Sequence, residues 1–287
     1  MSVPNLVSLS VNVRRWSPSA PPFLNSICPS HSNENDGSLL SVTSSSSLTR
    51  LELTLPISAY LEYENVRNIF MYSPSLETLI LPKFGQSLLG DEGRDWPIIF
   101  APSSLRSLAV HLKYTHAEGD ELWNAESPCP CILSFLRFPN LEYLEVVGDN
   151  CSYSLNLSSH FKDLSELKTL RLQRCSVTPL DDEFLRSLIL LNRLELEDTS
   201  NVVKWFSKSP YTEMTLPFPH LSSISLSESS WSCNLDPWAR LARLAVDDYG
   251  CTQFSIEVST HLYSRMSQLF RHQDEQIHVR EARNHPH

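Results

Sequence analysis

Cys129-Pro130-Cys131, with His111 and His116 upstream, comes closest to a metal site of any arrangement in this chain. Thiolate and imidazole are the donors zinc prefers, and structural zinc sites take four of them, as a rule from two close pairs. A second close pair is missing here, so the spacing fits two ordinary thiols, and no metal ligand is assigned. Nucleophilic and phosphate chemistry lack their motifs too. The sequence has no G-x-S-x-G elbow, no Walker loop, no G-x-G-x-x-G and no H-E-x-x-H. Seven glycines leave little material for a phosphate cradle. His160, His220 and His261 have no patterned partners. No catalytic residue and no cofactor-binding residue is assigned, and the expectation is a non-enzymatic protein.

Bulk properties narrow the partners. A net charge of −10 over 287 residues repels phosphate backbones, so a general nucleic-acid binder is not expected. No run of about 18 apolar residues occurs, so no membrane span is expected. The start, MSVPNLVSLSVNVRRW, has no basic segment followed by an apolar block, so no signal peptide is expected. The seven cysteines (Cys28, Cys129, Cys131, Cys151, Cys175, Cys233 and Cys251) are odd in number and scattered. Reduced thiols in the cytoplasm or nucleus follow as the expectation. The sequons at Asn150 and Asn156 carry no meaning without secretion.

With chemistry set aside, a surface remains, and a repeated phrase supplies the elements that would build it. The pattern L-x-x-L-x-L, with Ile or Val allowed at the last two places, starts at Leu6, Leu48, Leu76, Leu105, Leu141, Leu167, Leu191, Leu221 and Leu241. The bare pattern is only moderately specific. Two facts make it a unit: the first position is leucine every time, and proline stands two residues earlier in four copies, at Pro4, Pro74, Pro139 and Pro219. The alternation predicts a short strand with aliphatic residues on one side and polar ones on the other. Proline ends the preceding helix and starts extended chain. Helix-like stretches lie between: AYLEYENVRNIFMY, DDEFLRSLILL with Asp181 or Asp182 as cap, and SNVVKWFSKSP with Ser200 or Asn201 as cap. One strand per unit and a returning helix predict a parallel sheet with helices outside, wound as a right-handed solenoid.

The pattern resembles a leucine-rich repeat over Leu6 to about Tyr249, and the openings FPNL, FPHL and SPSL resemble the repeat regions of fungal F-box proteins. The resemblance implies an α/β leucine-rich-repeat solenoid, with a curved parallel β-sheet on the concave side and helices on the convex side. It also implies substrate recognition for an F-box-type ubiquitin ligase. The partner would then be a protein marked for ubiquitination. The adaptor subunit of an SCF-type ligase would join only if an F-box is supplied upstream, since the first repeat begins at Leu6. A free-standing repeat scaffold in signalling or recognition is the alternative. The standard repeat puts Asn or Cys eight residues after its first leucine. Only Cys175 fits here; Thr199 and Ser229 are small polar stand-ins, and irregular turns are expected.

The expected domains are 1–255 for the repeats, with a Ser/Pro-rich insertion at 16–47, and 256–287 for a C-terminal helical cap and tail. The insertion is read as mobile. In the cap, Val258, Leu262, Met266 and Leu269 fall at helical spacing. The middle strand positions, Ser10, Glu52, Ile80, Ala109, Glu145, Arg171, Glu195, Ser225 and Ala245, line the concave face, with Arg243 among their neighbours. Tyr143, Glu145, Arg171, Gln173, Arg193, Glu195 and Glu197 form its richest sector, and aromatic and charged groups together suit a protein partner with charges of both signs.

Overall fold

The computed structural model describes residues 6–12, 47–54, 63–85, 97–113, 132–148, 154–178, 180–206, 216–227, 234–270 and 275–282. Cys129, Cys131, His116, Ser229 and the insertion at 16–47, apart from its last residue, lie outside them.

Alternating apolar residues make the strands. The class is mixed α/β, with a large parallel sheet of ten strands and few helices. Met1–Asn140 and Leu141–His287 are two compact units. The first carries β1 (Ser8–Asn12), β2 (Arg50–Thr54), α1 (Tyr63–Tyr72), β3 (Thr78–Gly85), β4 (Ile99–Phe100), β5 (Ser107–Lys113), a 3-10 turn at Ile132–Phe135 and β6 (Leu136–Arg137). Strands β1, β2, β3 and β5 run parallel in that order, while β4 pairs with β6. The register of β3 on β5 shifts between Leu81 and Phe84, where Pro82 has no N–H to give to a ladder.

The second unit carries β7 (Tyr143–Val147), β8 (Ser154–Leu155), α2 (Leu157–His160), β9 (Thr169–Gln173), β10 (Ser176–Val177), α3 (Asp182–Ser187), β11 (Arg193–Glu197), a 3-10 turn at Val202–Phe206, β12 (Ser223–Ser227), α4 (Asp236–Asp247), β13 (Phe254–Val258), α5 (Thr260–Leu269) and β14 (Ile277–Glu281). Strands β7, β9, β11, β12, β13 and β14 are parallel neighbours in that order. Leu144, Leu170, Leu194, Ile224 and Ile256 stand opposite one another along this series, and all are buried. The leading leucines Leu141, Leu167, Leu191 and Leu221 are buried as well. Each such side chain contributes about 1.5–3 kcal/mol of transfer free energy. The polar residues between them therefore share the opposite face.

The turns repeat too. At strand entry the carbonyls of Val7, Thr49, Glu77, Glu142, Lys168 and Asn192 each accept two successive N–H groups from the next strand's start, at 2.8–3.1 Å. At strand exit the N–H groups of Gly148, Arg174 and Asp198 donate to the last carbonyls of β9, β11 and β12. Arg174 and Asp198 take left-handed backbone, with φ of 50° and 46°. A Cβ on Gly148 would stand 2.4 Å from the Arg174 carbonyl oxygen, so only glycine fits that approach. One residue beyond these exits, the Cys175 thiol lies 3.6 Å from the Val146 carbonyl, and the Thr199 hydroxyl donates to that of Leu172 at 2.9 Å. Both ties run to the preceding strand.

Several sequence expectations need correction. The ninth copy of the phrase, from Leu241, is not a strand but part of α4, where Pro237 occupies the first turn and Trp238, Ala239, Leu241, Ala242 and Ala245 are buried. Ala245 and Arg243 therefore leave the strand face. Arg243 donates to the Leu269 carbonyl at 2.6 Å and stacks its guanidinium over Phe270. The stretch after β11 forms a 3-10 turn rather than an α-helix; Asn201 precedes it at φ 67°. Asp181 does cap α3, its carboxylate accepting the Phe184 N–H. Residue 256 lies inside β13, and β14 extends the same sheet. Of the series expected to be helical there, Val258 ends the strand, while Leu262 and Met266 are buried in α5.

Candidate functional site

The face opposite the buried leucines of the second unit is built by register. In its middle row Glu145 stands opposite Arg171, Arg171 opposite Glu195, Glu195 opposite Ser225, Ser225 opposite Glu257, and Glu257 opposite Arg280. Acid and base alternate across β7, β9 and β11, where cross-strand pairs of opposite charge stabilise a sheet. All seven residues singled out in the sequence, from Tyr143 to Glu197, lie on this face.

These side chains form one connected network. The Tyr143 hydroxyl donates to Glu145 Oε2 at 3.0 Å, and Gln173 Nε2 donates to Glu145 Oε1 at 3.1 Å. Arg171 lies among three carboxylates: Nε is 3.8 Å from both Glu145 and Glu195, and Nη2 is 3.4 Å from Glu197. Arg193 bridges further. Its Nε lies 2.5 Å from Glu195 Oε1, and its Nη2 lies 2.8 Å from Glu257 Oε2 on β13. The guanidinium thereby spans β12, which presents only Ser223, Ser225 and Ser227 on this side. A larger side chain at Ser225 would stand in its path.

The network is half-buried. Side-chain exposures run from 20% at Glu145 to 37% at Glu197. Burial, reinforced by Glu145, pushes the Tyr143 phenol above its ordinary range, so it stays protonated and donating. Burial works against the charges on Arg171 and Arg193, but neighbouring groups, led by Glu145 for Arg171 and Glu195 for Arg193, outweigh it and raise both pKa values. Both arginines are fixed cations.

The sequence reading missed Glu257, which closes this network. Its signal was present in FSIEV, which alternates apolar and polar residues, but by register Gln253 stands where the unit's leading leucine is expected. The corresponding row of the first unit, Ser10, Glu52, Ile80 and Ala109, is poorer in charge; Arg50 pairs there with Glu52, at 3.4 Å. Among the described residues no group of three His, Cys, Asp or Glu side chains is placed to hold a metal ion, and no helix is long and apolar enough to cross a membrane. No family model, no curated protein and no solved structure matches the chain.

Proposed function

We propose that the chain is a leucine-rich-repeat solenoid acting as a non-enzymatic protein-interaction module, with its recognition face on β7, β9, β11 and β13. One observation carries this reading: six charged side chains on four strands are held by their neighbours in fixed positions on an accessible face, ready to meet a partner without further ordering. The recurring strand unit and the Cys175 and Thr199 ties between successive turns support the repeat reading. The resemblance of the FPNL and FPHL openings to F-box repeat regions supports a more specific role. In it, the face recognises a protein to be ubiquitinated, in the cytoplasm or nucleus, and an SCF-type adaptor enters where an F-box is supplied upstream.

Affinity capture from the source cell tests the module. The wild-type chain is compared with a triple variant, Glu145→Gln, Arg171→Met and Glu195→Gln, and with an outer-helix control, Glu183→Gln and Arg186→Gln. Circular dichroism verifies that each variant is folded. The expected result is loss of a captured protein in the triple variant alone. Equal capture by all three chains would move the interaction away from this face.

A further inference from the structure

We infer that this face selects an extended cationic segment of its partner, one that presents arginine or lysine side chains at alternate positions. The inference rests on the reading of the face as a recognition surface and adds the chemistry of what it recognises. The network holds four carboxylates, Glu145, Glu195, Glu197 and Glu257, against two guanidinium groups, Arg171 and Arg193; Arg280, opposite Glu257 on β14, is a third cation in the same row, and one net negative charge remains. Its spare hydrogen-bonding capacity is also one-sided. Arg171 faces three carboxylates and Arg193 two, so the cations are enclosed by their own neighbours. Glu197 and Glu257 each use only Oε2 in these contacts; among the described residues their Oε1 atoms accept no hydrogen bond. Glu197 stands opposite Ser227 and Glu257 opposite Ser225, so these two carboxylates flank β12 two strand spacings and two residues apart, about 12 Å between backbones. Ser225 and Ser227 lie between them and leave the way open for a chain in extended form.

A partner cation supplies what is lacking, N–H donors with positive charge. Guanidinium offers five such donors in a planar fork matched to a carboxylate, and ammonium offers three. An anionic partner would meet an uncompensated excess of negative charge both here and in the chain as a whole, which carries −10.

The test uses the full chain and a fluorescein-labelled peptide of alternating glycine and arginine, with a citrulline peptide of equal length as the neutral match. Fluorescence anisotropy measures binding. We expect the arginine peptide to bind, the citrulline peptide to bind far more weakly, and affinity to fall as salt rises. The double variant Glu197→Gln and Glu257→Gln should weaken arginine-peptide binding about tenfold while still unfolding cooperatively. A control pair on exposed positions elsewhere, Glu183→Gln and Glu275→Gln, changes net charge equally and should leave binding within about twofold. Equal weakening by both pairs would reduce the effect to net charge and overturn the proposal, as would equal binding of the two peptides. Failure of the peptide to bind, with capture still lost in the triple variant, would overturn the cationic partner and leave the recognition face standing. Selective peptide binding with capture unchanged in the triple variant would instead overturn the recognition reading.

Discussion

Leu170 is the most direct test of the register that builds both faces of the sheet. It lies on β9 between Leu144 of β7 and Leu194 of β11, and all three are at most 1% exposed. Leu170→Ala removes three carbons from a site whose flanks are fixed by ladder hydrogen bonds on both sides, so collapse into the space is limited. The expected loss is about 3–4 kcal/mol, the lost transfer free energy plus the cavity. Thr169, one residue earlier, faces the other way and is partly exposed; Thr169→Ala should stay within about 0.5 kcal/mol. Urea unfolding followed by circular dichroism measures both, with the midpoint shift read at constant slope. A slip of one residue would exchange the two faces and hence the two effects. A Leu170→Ala cost below about 1 kcal/mol, or a larger cost for Thr169→Ala, would refute the register and with it the charged face. Leu144→Asp, which buries an unpaired charge, should abolish cooperative unfolding of this unit.

Three further outcomes follow from particular contacts. Gly148→Ala must push the β7 exit away from the Arg174 carbonyl, and thermal melting should show a loss of about 1–3 kcal/mol. Thr199→Val removes the hydroxyl that ties its turn to Leu172 and leaves a carbonyl without that donor; about 1 kcal/mol is expected in urea unfolding. His160 is buried, and burial pushes its pKa down from 6.5 to about 4. The folded chain therefore binds fewer protons than the unfolded chain below about pH 6.5, and stability falls as the pH drops toward 4. Between about pH 7 and about pH 5 the loss attributable to this ring is about 2 kcal/mol, and His160→Gln should remove that part of the pH dependence.

Much of this was legible in the sequence, for a physical reason. Where leucine leads the unit and the two following apolar positions alternate with polar ones, as from Leu141, Leu167 and Leu191, only a strand buries all three, and each became one. The segment from Leu241 shows where the same letters fail. Leu241 and Leu244 are three residues apart, a spacing that also suits a helix, and Asp236-Pro237 ahead of them is a helix start. Tertiary packing, through Trp238 and Ala245, decided for the helix. The consequence reached the candidate face: with Ala245 removed from it, β13 took the place beside β12 and brought in Glu257. Pairing order decided this, and no local pattern encodes it. The polar turn ties were half legible. Cys175 and Thr199 stood at the expected offset, but nothing in their types announced that Gly148, Arg174 and Asp198 would share one exit geometry, two of them in left-handed backbone.

The charged face is poorly explained as a source of stability. Each ion pair is partly exposed, and pairs of that kind contribute about 0–1 kcal/mol once screening and side-chain ordering are counted. Removing one member of a half-buried network costs more than the network supplies, because its partners lose their compensation. Apolar or small polar residues in the same places would satisfy the sheet, as Ser223, Ser225 and Ser227 do on β12. What the network does provide is position. Arg171 has one orientation that serves three carboxylates, and Arg193 has one that spans β12 to Glu257. Long side chains that would otherwise lose rotamer freedom on meeting a partner have already lost it in the folded chain. For the proposed recognition, that arrangement would lower the entropic cost of association at the places where carboxylate oxygens remain open. The parallel register that stacks Leu144, Leu170 and Leu194 in the core is therefore also what sets the spacing of Glu145, Arg171 and Glu195 above it.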